Sequence, residues 1–475
     1  MSSPKIVIIG AGSYFFGKAL VWNMAKSPVL RNGTLAMVDT DQHVLDIMMR
    51  FGEKVFKEMD APVNLIGSTD RREVLKDADF VVLSFSERNA HYRGIDCKIS
   101  QKYGIRMCSG DTIGPGGIFR ALREIPRAVD MAKDTAELAP RAWMINYVNP
   151  TSVLGIGLMR YAPEVNSFAI CDGPHQPYSD MRLLKRVGVL PADATDLPDE
   201  IMQDVQINEV GINHFTWITG LTFKGKDLMP HLREQLAEEV RNEAKVLKDP
   251  DNNASAKGKY NAAYSLQLFD MFGAYPNRIA HTKEYVPYFQ GYGALPNEPE
   301  PITVFNAEER QQQMDTAWQQ VEEWANGTRP ISEYVEKGKI DHATDIIESM
   351  YGNLGKRFRV NTANKGAVPN LADDAFLELD CEMNMESVTP TPSVPMPRGI
   401  LGLEQQVLDT HELTAEAAMT CDRNILLRAM MTDPIVNNYE DAKACMEELL
   451  EAEKDILPAG WYVSEEKKDK RTALV

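Results

Sequence analysis

Nowhere in the 475 residues is there a run of about eighteen apolar residues, so no helix of this chain is expected to span a membrane. The first residues pass from Met-Ser-Ser-Pro directly into Lys5-Ile-Val-Ile-Ile-Gly10. They lack the basic segment, long apolar core and small-residue cleavage site of a signal peptide, and a cytoplasmic location is expected. Cysteine is scarce. Cys97, Cys108, Cys171, Cys381, Cys421 and Cys445 are scattered, with neither the paired spacing of a zinc site nor that of a disulfide framework. They read as reduced thiols, most of them small buried hydrophobes. Basic charge is in short supply as well. A formal net charge of −18 argues against nucleic-acid and anionic-membrane partners, because phosphate contacts need clustered Lys and Arg. The plain reading of that charge is a solvated, self-repelling surface. Any anionic substrate has to be held by a few local cations.

What is present is an ordinary globular composition, 44% hydrophobic and 25% charged, over a length that suits two or three domains. The first half alternates short apolar runs with amphipathic segments. Strands are expected at Lys5–Ile9, Thr34–Val38, Phe80–Ser84, Trp143–Tyr147 and Ser167–Ile170. Helical patterns lie between them, as at Lys18–Ser27, His43–Met59 and Gly117–Leu138. Such alternation, with near-continuous apolar strands, implies a parallel sheet covered on both faces. The expected fold is α/β. A Rossmann-type, doubly wound parallel sheet would occupy 1–195. A lactate/malate-dehydrogenase-like α+β substrate domain would occupy 196–463, and a charged tail 464–475. The Pro/Asp-rich stretch Leu190–Glu200 supplies the boundary, and a further strand is expected near Val205–Glu209.

Four motifs fall where such a sheet would gather ligands, beyond the carboxyl ends of its strands. Gly10-Ala-Gly12-Ser13 joins the first strand to a helix, Gly10 permitting the turn and Gly12 the approach of a pyrophosphate to the helix N-terminus. Phe15 stands where the usual fingerprint has a third glycine. Asp39 ends the second strand, as expected for a carboxylate on ribose hydroxyls that repels the extra phosphate of NADP. With Ser84 and Asn149 at other strand ends, these residues point to NAD. An ordinary strand–helix turn is the blander alternative. The loop Ser109–Gly117 offers backbone N–H groups and the side chains of Asp111 and Thr112, and reads equally as a plain loop and helix cap. Asn149 is suited to a sugar hydroxyl or the nicotinamide, its backbone restricted by Pro150. Cys171-Asp172 and Asn213-His214 are, singly, a buried thiol and a core histidine. Together with substrate oxygens they would make an open divalent-metal site.

These ordered motifs resemble glycoside hydrolase family 4, the NAD- and divalent-metal-dependent glycosidases. The likeness runs from Ile6–Ser13 to about Gly460. It passes through Gly110–Gly117, Ile145–Pro150, Cys171–Pro174, Gly211–Trp217, Asn364–Leu371 and Asp433-Pro434. It implies a redox route in place of two-carboxylate hydrolysis. In that route C3 is oxidised by NAD, C2 is deprotonated, the glycosidic oxygen is eliminated, water adds, and the hydride returns. Cys171 and His214 would hold Mn²⁺ or a similar ion. Asp172 would be the acid for the leaving oxygen, and Cys-Asp in sequence implies an α-linked substrate. For the C2 base, the segment Gly273–Tyr285 lacks the Asp of some branches and leaves Tyr275, His281 and Tyr285. His281 reads equally as a metal neighbour or a structural residue. Arg93, Asp111, Asn149 and Asn213 form the expected substrate contacts, Arg93 fitting a carboxylate or a phosphate. The resemblance thus implies a glycosidase for an unphosphorylated small-molecule glycoside, with an acidic (uronide) sugar among the candidates, working as a homodimer or homotetramer. The alternatives are a 6-phospho-α-glycosidase of the same family, an NAD-dependent hydroxyacid or sugar dehydrogenase, and a non-catalytic NAD sensor.

Overall fold

The computed structural model describes residues 3–13, 16–171, 173–248, 254–296 and 298–463. The tail 464–475, Phe15 and Asp172 lie outside the described residues. Six short strands open the chain: β1 (Lys5–Ile9), β2 (Thr34–Val38), β3 (Asn64–Ser68), β4 (Phe80–Leu83), β5 (Trp143–Asn146) and β6 (Asn166–Ala169). Then come β7 (Val205–Ile212), β8 (Phe215–Phe223), β9 (Lys226–Asp227) and β10 (Tyr275–Pro276), and last β11 (Arg357–Ala363), β12 (Phe376–Met383) and β13 (Val388–Pro390). The first six pair in parallel in the order β3-β2-β1-β4-β5-β6, the doubly wound arrangement expected. The strands β11 to β13, from far along the chain, extend that sheet antiparallel from the β6 edge, Asn361 lying opposite Ala169.

The central strands form because runs such as Ile6-Val7-Ile8 and Val81-Val82-Leu83 are fully buried on both faces. β3 lacks such a run. Its residues Asn64, Leu65, Ile66, Gly67 and Ser68 sit on the sheet edge and are partly exposed, so apolar patterning did not announce it. Helices cover both faces. In the helix Gln42–Glu58, Leu45, Met48, Phe51 and Val55 recur three to four residues apart and are buried. Each such burial contributes about 1.5–3 kcal/mol. Asp41 starts this helix, accepting from the backbone N–H of His43 (2.9 Å) and Val44 (3.2 Å).

The second sheet is small and antiparallel, in the order β10-β8-β7 with β9 on β8. β7 and β8 form a hairpin in which Ile212 pairs with Phe215, so Asn213 and His214 are its two turn residues. Glu404, on the helix Ile400–Thr420, holds the hairpin from below. It accepts from the Ile212 N–H (3.1 Å) and the Trp217 indole (3.2 Å). Among the described residues no helix is long and apolar enough to cross a membrane.

Candidate active site

A cleft of about 1060 Å³ runs along the carboxyl ends of the parallel strands. Gly10, Gly12, Ser13 and Asp39 line it beyond β1 and β2; Ser84 and Ser86 beyond β4; Asn149 and Cys171 beyond β5 and β6. At the first end the glycines are required. Gly10 has φ +91°, and a Cβ there would sit 2.2 Å from the Ser84 carbonyl oxygen. A Cβ on Gly12 would meet Val44 at 2.3 Å and the Asp39 carboxylate at 2.9 Å. The turn is tied to β2, since the N–H groups of Gly10 (2.8 Å) and Ala11 (2.9 Å) donate to the Val38 carbonyl. The Gly12 N–H then donates to Asp39 Oδ2 at 2.8 Å, which fixes that carboxylate at the floor of the cleft.

In the middle of the cleft Asp111 accepts from Ser109 Oγ (2.6 Å) and from Asn149 Nδ2 (3.5 Å). Burial works to raise its carboxyl, but the positive charges around it, Arg93 and Arg120 among them, outweigh burial and hold it well below the usual range. Arg120 Nη1 lies 3.3 Å and Arg93 Nη2 3.6 Å from Asp111 Oδ2. Arg93 is internally committed. Its Nε (3.1 Å) and Nη2 (2.5 Å) donate to the Ser109 carbonyl, Nη1 donates to Asn89 (3.2 Å), and the guanidinium lies 4.3 Å over the Phe305 ring.

At the far end two residues 43 apart in sequence come together: Cys171 Sγ lies 3.4 Å from His214 Nε2. The hairpin presents His214 with φ +68°, a left-handed backbone uncommon for a non-glycine residue and of a kind that clusters at functional sites. The His214 ring stacks on His281 with centroids 3.7 Å apart and planes within 8°. Burial drives both imidazoles well below their ordinary 6.5, so both are neutral near pH 7. His281 Nδ1 lies 3.8 Å from Glu284 Oε1. Glu284 Oε2 accepts from the Ser109 N–H at 2.9 Å. One segment thereby joins the imidazole pair to the glycine-rich loop. Behind Cys171, His342 Nδ1 is 2.7 Å from the Cys171 carbonyl and stacks on His175, itself 3.0 Å from Asp345.

The remaining expected residues lie elsewhere. The Asn213 amide donates to Glu378 (2.8 Å), turned toward β12. Tyr285 is buried, stacked on Phe215, its hydroxyl donating to the Asn213 carbonyl at 3.3 Å. Tyr275 sits in a separate apolar cluster with Leu184, Leu221 and Leu232, its hydroxyl bonded to Arg186. Sequence reasoning did not single out Glu284 or His342. Glu284 was legible only as an acid three residues after His281, and His342 carried no local signal.

Fold and site together define a class: a doubly wound dinucleotide-type protein whose carboxyl edge carries a thiol–imidazole pair. Comparison with known proteins narrows it. The model for family 4 glycosyl hydrolases matches residues 5–188, and that for the family's C-terminal domain matches 209–436. The chain belongs to family 4 of the glycosyl hydrolases, and is a glycosidase of that family. It is 27% identical to an alpha-galacturonidase of Lachnoclostridium phytofermentans, over 97% of this chain and 98% of that one. It is equally 27% identical to an alpha-galactosidase of Bacillus subtilis, over 96% and 99%. A crystal structure of a 6-phospho-alpha-glucosidase from gut microorganisms, in complex with NAD and Mn²⁺, shares the fold at a TM-score of 0.74. It is 21% identical, over 96% of this chain and 99% of that one.

Proposed function

We propose that this chain is an NAD- and divalent-metal-dependent α-glycosidase for an unphosphorylated, acidic sugar of the galacturonide kind, working by the family's oxidation–elimination route. The observation that carries the reading is the convergence of Cys171 Sγ and His214 Nε2 at 3.4 Å, on the same strand edge as the Gly10/Gly12 turn. A neutral imidazole beside a thiol is a donor set that suits a divalent transition metal and leaves positions open for substrate oxygens. The turn, with no room for a Cβ, suits a pyrophosphate. When bound, NAD supplies a hydride acceptor and the metal a Lewis acid beside the sugar hydroxyls.

The protein's own residues do the rest. Gly12 and Asp39 would orient the dinucleotide, with Asn149 beyond β5 and Asp111 in the glycine-rich loop facing the sugar. Asp172 is the acid in this reading. Of Tyr275, His281 and Tyr285, His281 stands against the Cys171/His214 pair. Its imidazole is neutral, with Glu284 Oε1 3.8 Å from Nδ1, and it is the candidate base nearest that pair. Turnover in deuterium oxide should label C2 of the released sugar, and unlabelled C2 would overturn the reading. Removal of the divalent ion by chelation should abolish activity and Mn²⁺ should restore it.

A further inference from the structure

Seven cationic side chains line the cleft: Arg71, Arg88, Arg93, Arg120, Arg127, Arg310 and Lys257. Five are paired with carboxylates. Arg71 pairs with Asp130 and Asp134, Arg88 with Asp455, Arg127 with Glu87, and Arg93 and Arg120 share Asp111. Arg310 has no ion pair among the described residues; it reaches Gln313 on its own helix at 3.5 Å, and its Nε is buried without a partner. The Lys257 ammonium has no hydrogen bond or ion pair among the described residues. Its backbone carbonyl accepts from Lys283 (3.1 Å), two residues on from His281, so its loop borders the His214/His281 corner of the cleft.

The backbone beneath Lys257 is built around a second lysine. Lys283 is 1% exposed, and no carboxylate among the described residues forms an ion pair with it. Its ammonium donates to the carbonyls of Lys259 (2.8 Å), Lys257 (3.1 Å) and Ala256 (3.5 Å) and to Asn261 Oδ1 (2.9 Å), and it lies 5.4 Å over the Tyr264 ring. A buried ammonium satisfied mainly by main-chain oxygens gathers a loop much as a bound cation would, and here it orders residues 256–261. Lys283 sits between His281 and Glu284. The short segment that sets the imidazole against His214 thus also anchors the loop that carries Lys257.

We infer that Lys257 is a specificity-determining residue that pairs with the carboxylate of the sugar, held in place through Lys283. This rests on the acidic-sugar reading above. Arg93 has its donors committed to Ser109 and Asn89; of the two lining cations without an ion pair among the described residues, Arg310 and Lys257, it is Lys257 that sits on the loop anchored by Lys283 beside His281. A lone ammonium on a flexible stem accepts a carboxylate without breaking an existing pair.

The test compares p-nitrophenyl α-galacturonide with p-nitrophenyl α-galactoside, supplied with NAD, Mn²⁺ and a reductant, for the natural protein, Lys257→Met and Lys257→Arg. The Met variant keeps the apolar stem of a half-buried residue and loses the charge. The ratio of kcat/KM for uronide over neutral sugar should fall roughly 10- to 100-fold in Lys257→Met, the worth of one charge-assisted hydrogen bond. It should recover to within about fivefold of the natural protein in Lys257→Arg, which restores a cation that pairs a carboxylate. An unchanged ratio in Lys257→Met overturns the assignment. Calorimetric binding of free galacturonate keeps the two claims apart. Turnover of neither glycoside by the natural protein overturns the glycosidase reading, whereas galacturonate affinity undiminished in Lys257→Met overturns the role of Lys257.

Discussion

At the β1–β2 end of the cleft, Gly10, Gly12, Ser13 and Asp39 come from one strand–helix–strand unit, and their contacts are short backbone-centred hydrogen bonds such as Gly12 N–H to Asp39 (2.8 Å). At the β6 end, Cys171, His214 and His281 come from three distant segments and meet through side chains, a 3.4 Å sulfur–nitrogen contact and a ring stack at 3.7 Å. The first end is a shape that excludes side chains. The second is a chemical environment, in which burial keeps two imidazoles neutral. The two ends share no residue, so their proposed independence is testable by experiment.

The largest effect should come from the chemical end. Cys171→Ser or His214→Asn should lower kcat by about a thousandfold or more, since metal stabilisation of developing charge is worth several kcal/mol. NAD affinity, read by fluorescence titration, should stay within about twofold. A parallel collapse of NAD binding would break the proposed independence of the two ends. His281→Asn should lower kcat by at least about a hundredfold, the usual contribution of a positioned base, with KM little changed. A raised KM at constant kcat would make His281 a packing residue.

A smaller effect is expected at the shape end. Gly10→Ala forces a Cβ against the Ser84 carbonyl at a φ of +91°. Strain of that kind is on the order of 1–3 kcal/mol, so NAD affinity should weaken roughly 10- to 100-fold while Mn²⁺ binding is retained. Unaltered NAD affinity would show that this turn does not hold the cofactor.

The smallest effect concerns stability. Burial takes His342, behind Cys171, down to about 3. Between that value and its unfolded 6.5 the unfolded chain binds the extra proton. The contribution is therefore fully present above pH 6.5 and is lost as pH falls toward 3. From pH 6.5 to 5 this one group should cost about 2 kcal/mol in urea-unfolding free energy, at about 1.4 kcal/mol per unit. The slope should flatten in His342→Gln, and an unchanged slope would show that the histidine is not held neutral.

Much of the molecule is legible in the sequence, and for a physical reason. The strands at Lys5–Ile9 and Thr34–Val38 have the bounds expected from their apolar runs, and Phe80–Leu83 and Trp143–Asn146 end one residue early. A strand buried on both faces writes its burial directly into consecutive residues. The same holds for the glycine turn and Asp39, whose partners lie within one local unit. Edge strand β3 escaped notice because half-exposed Asn64 and Ser68 carry no such mark. Nothing local says that Arg357–Ala363 should pair with β6 rather than start a sheet of its own.

Cys171 and His214 read singly as an inert thiol and an inert core histidine. Their meeting depends on a hairpin turn with a left-handed histidine, on Glu404 holding that hairpin, and on the stack against His281. Glu284, His342 and the Lys257–Lys283 pair are set the same way, by which loops the packed core brings to one strand edge. Residue order determined the parallel sheet and its nucleotide turn, because those depend on neighbours along the chain. Tertiary packing alone decided which side chains share a dry corner and which cations line the cleft without an ion pair, because both depend on neighbours in space.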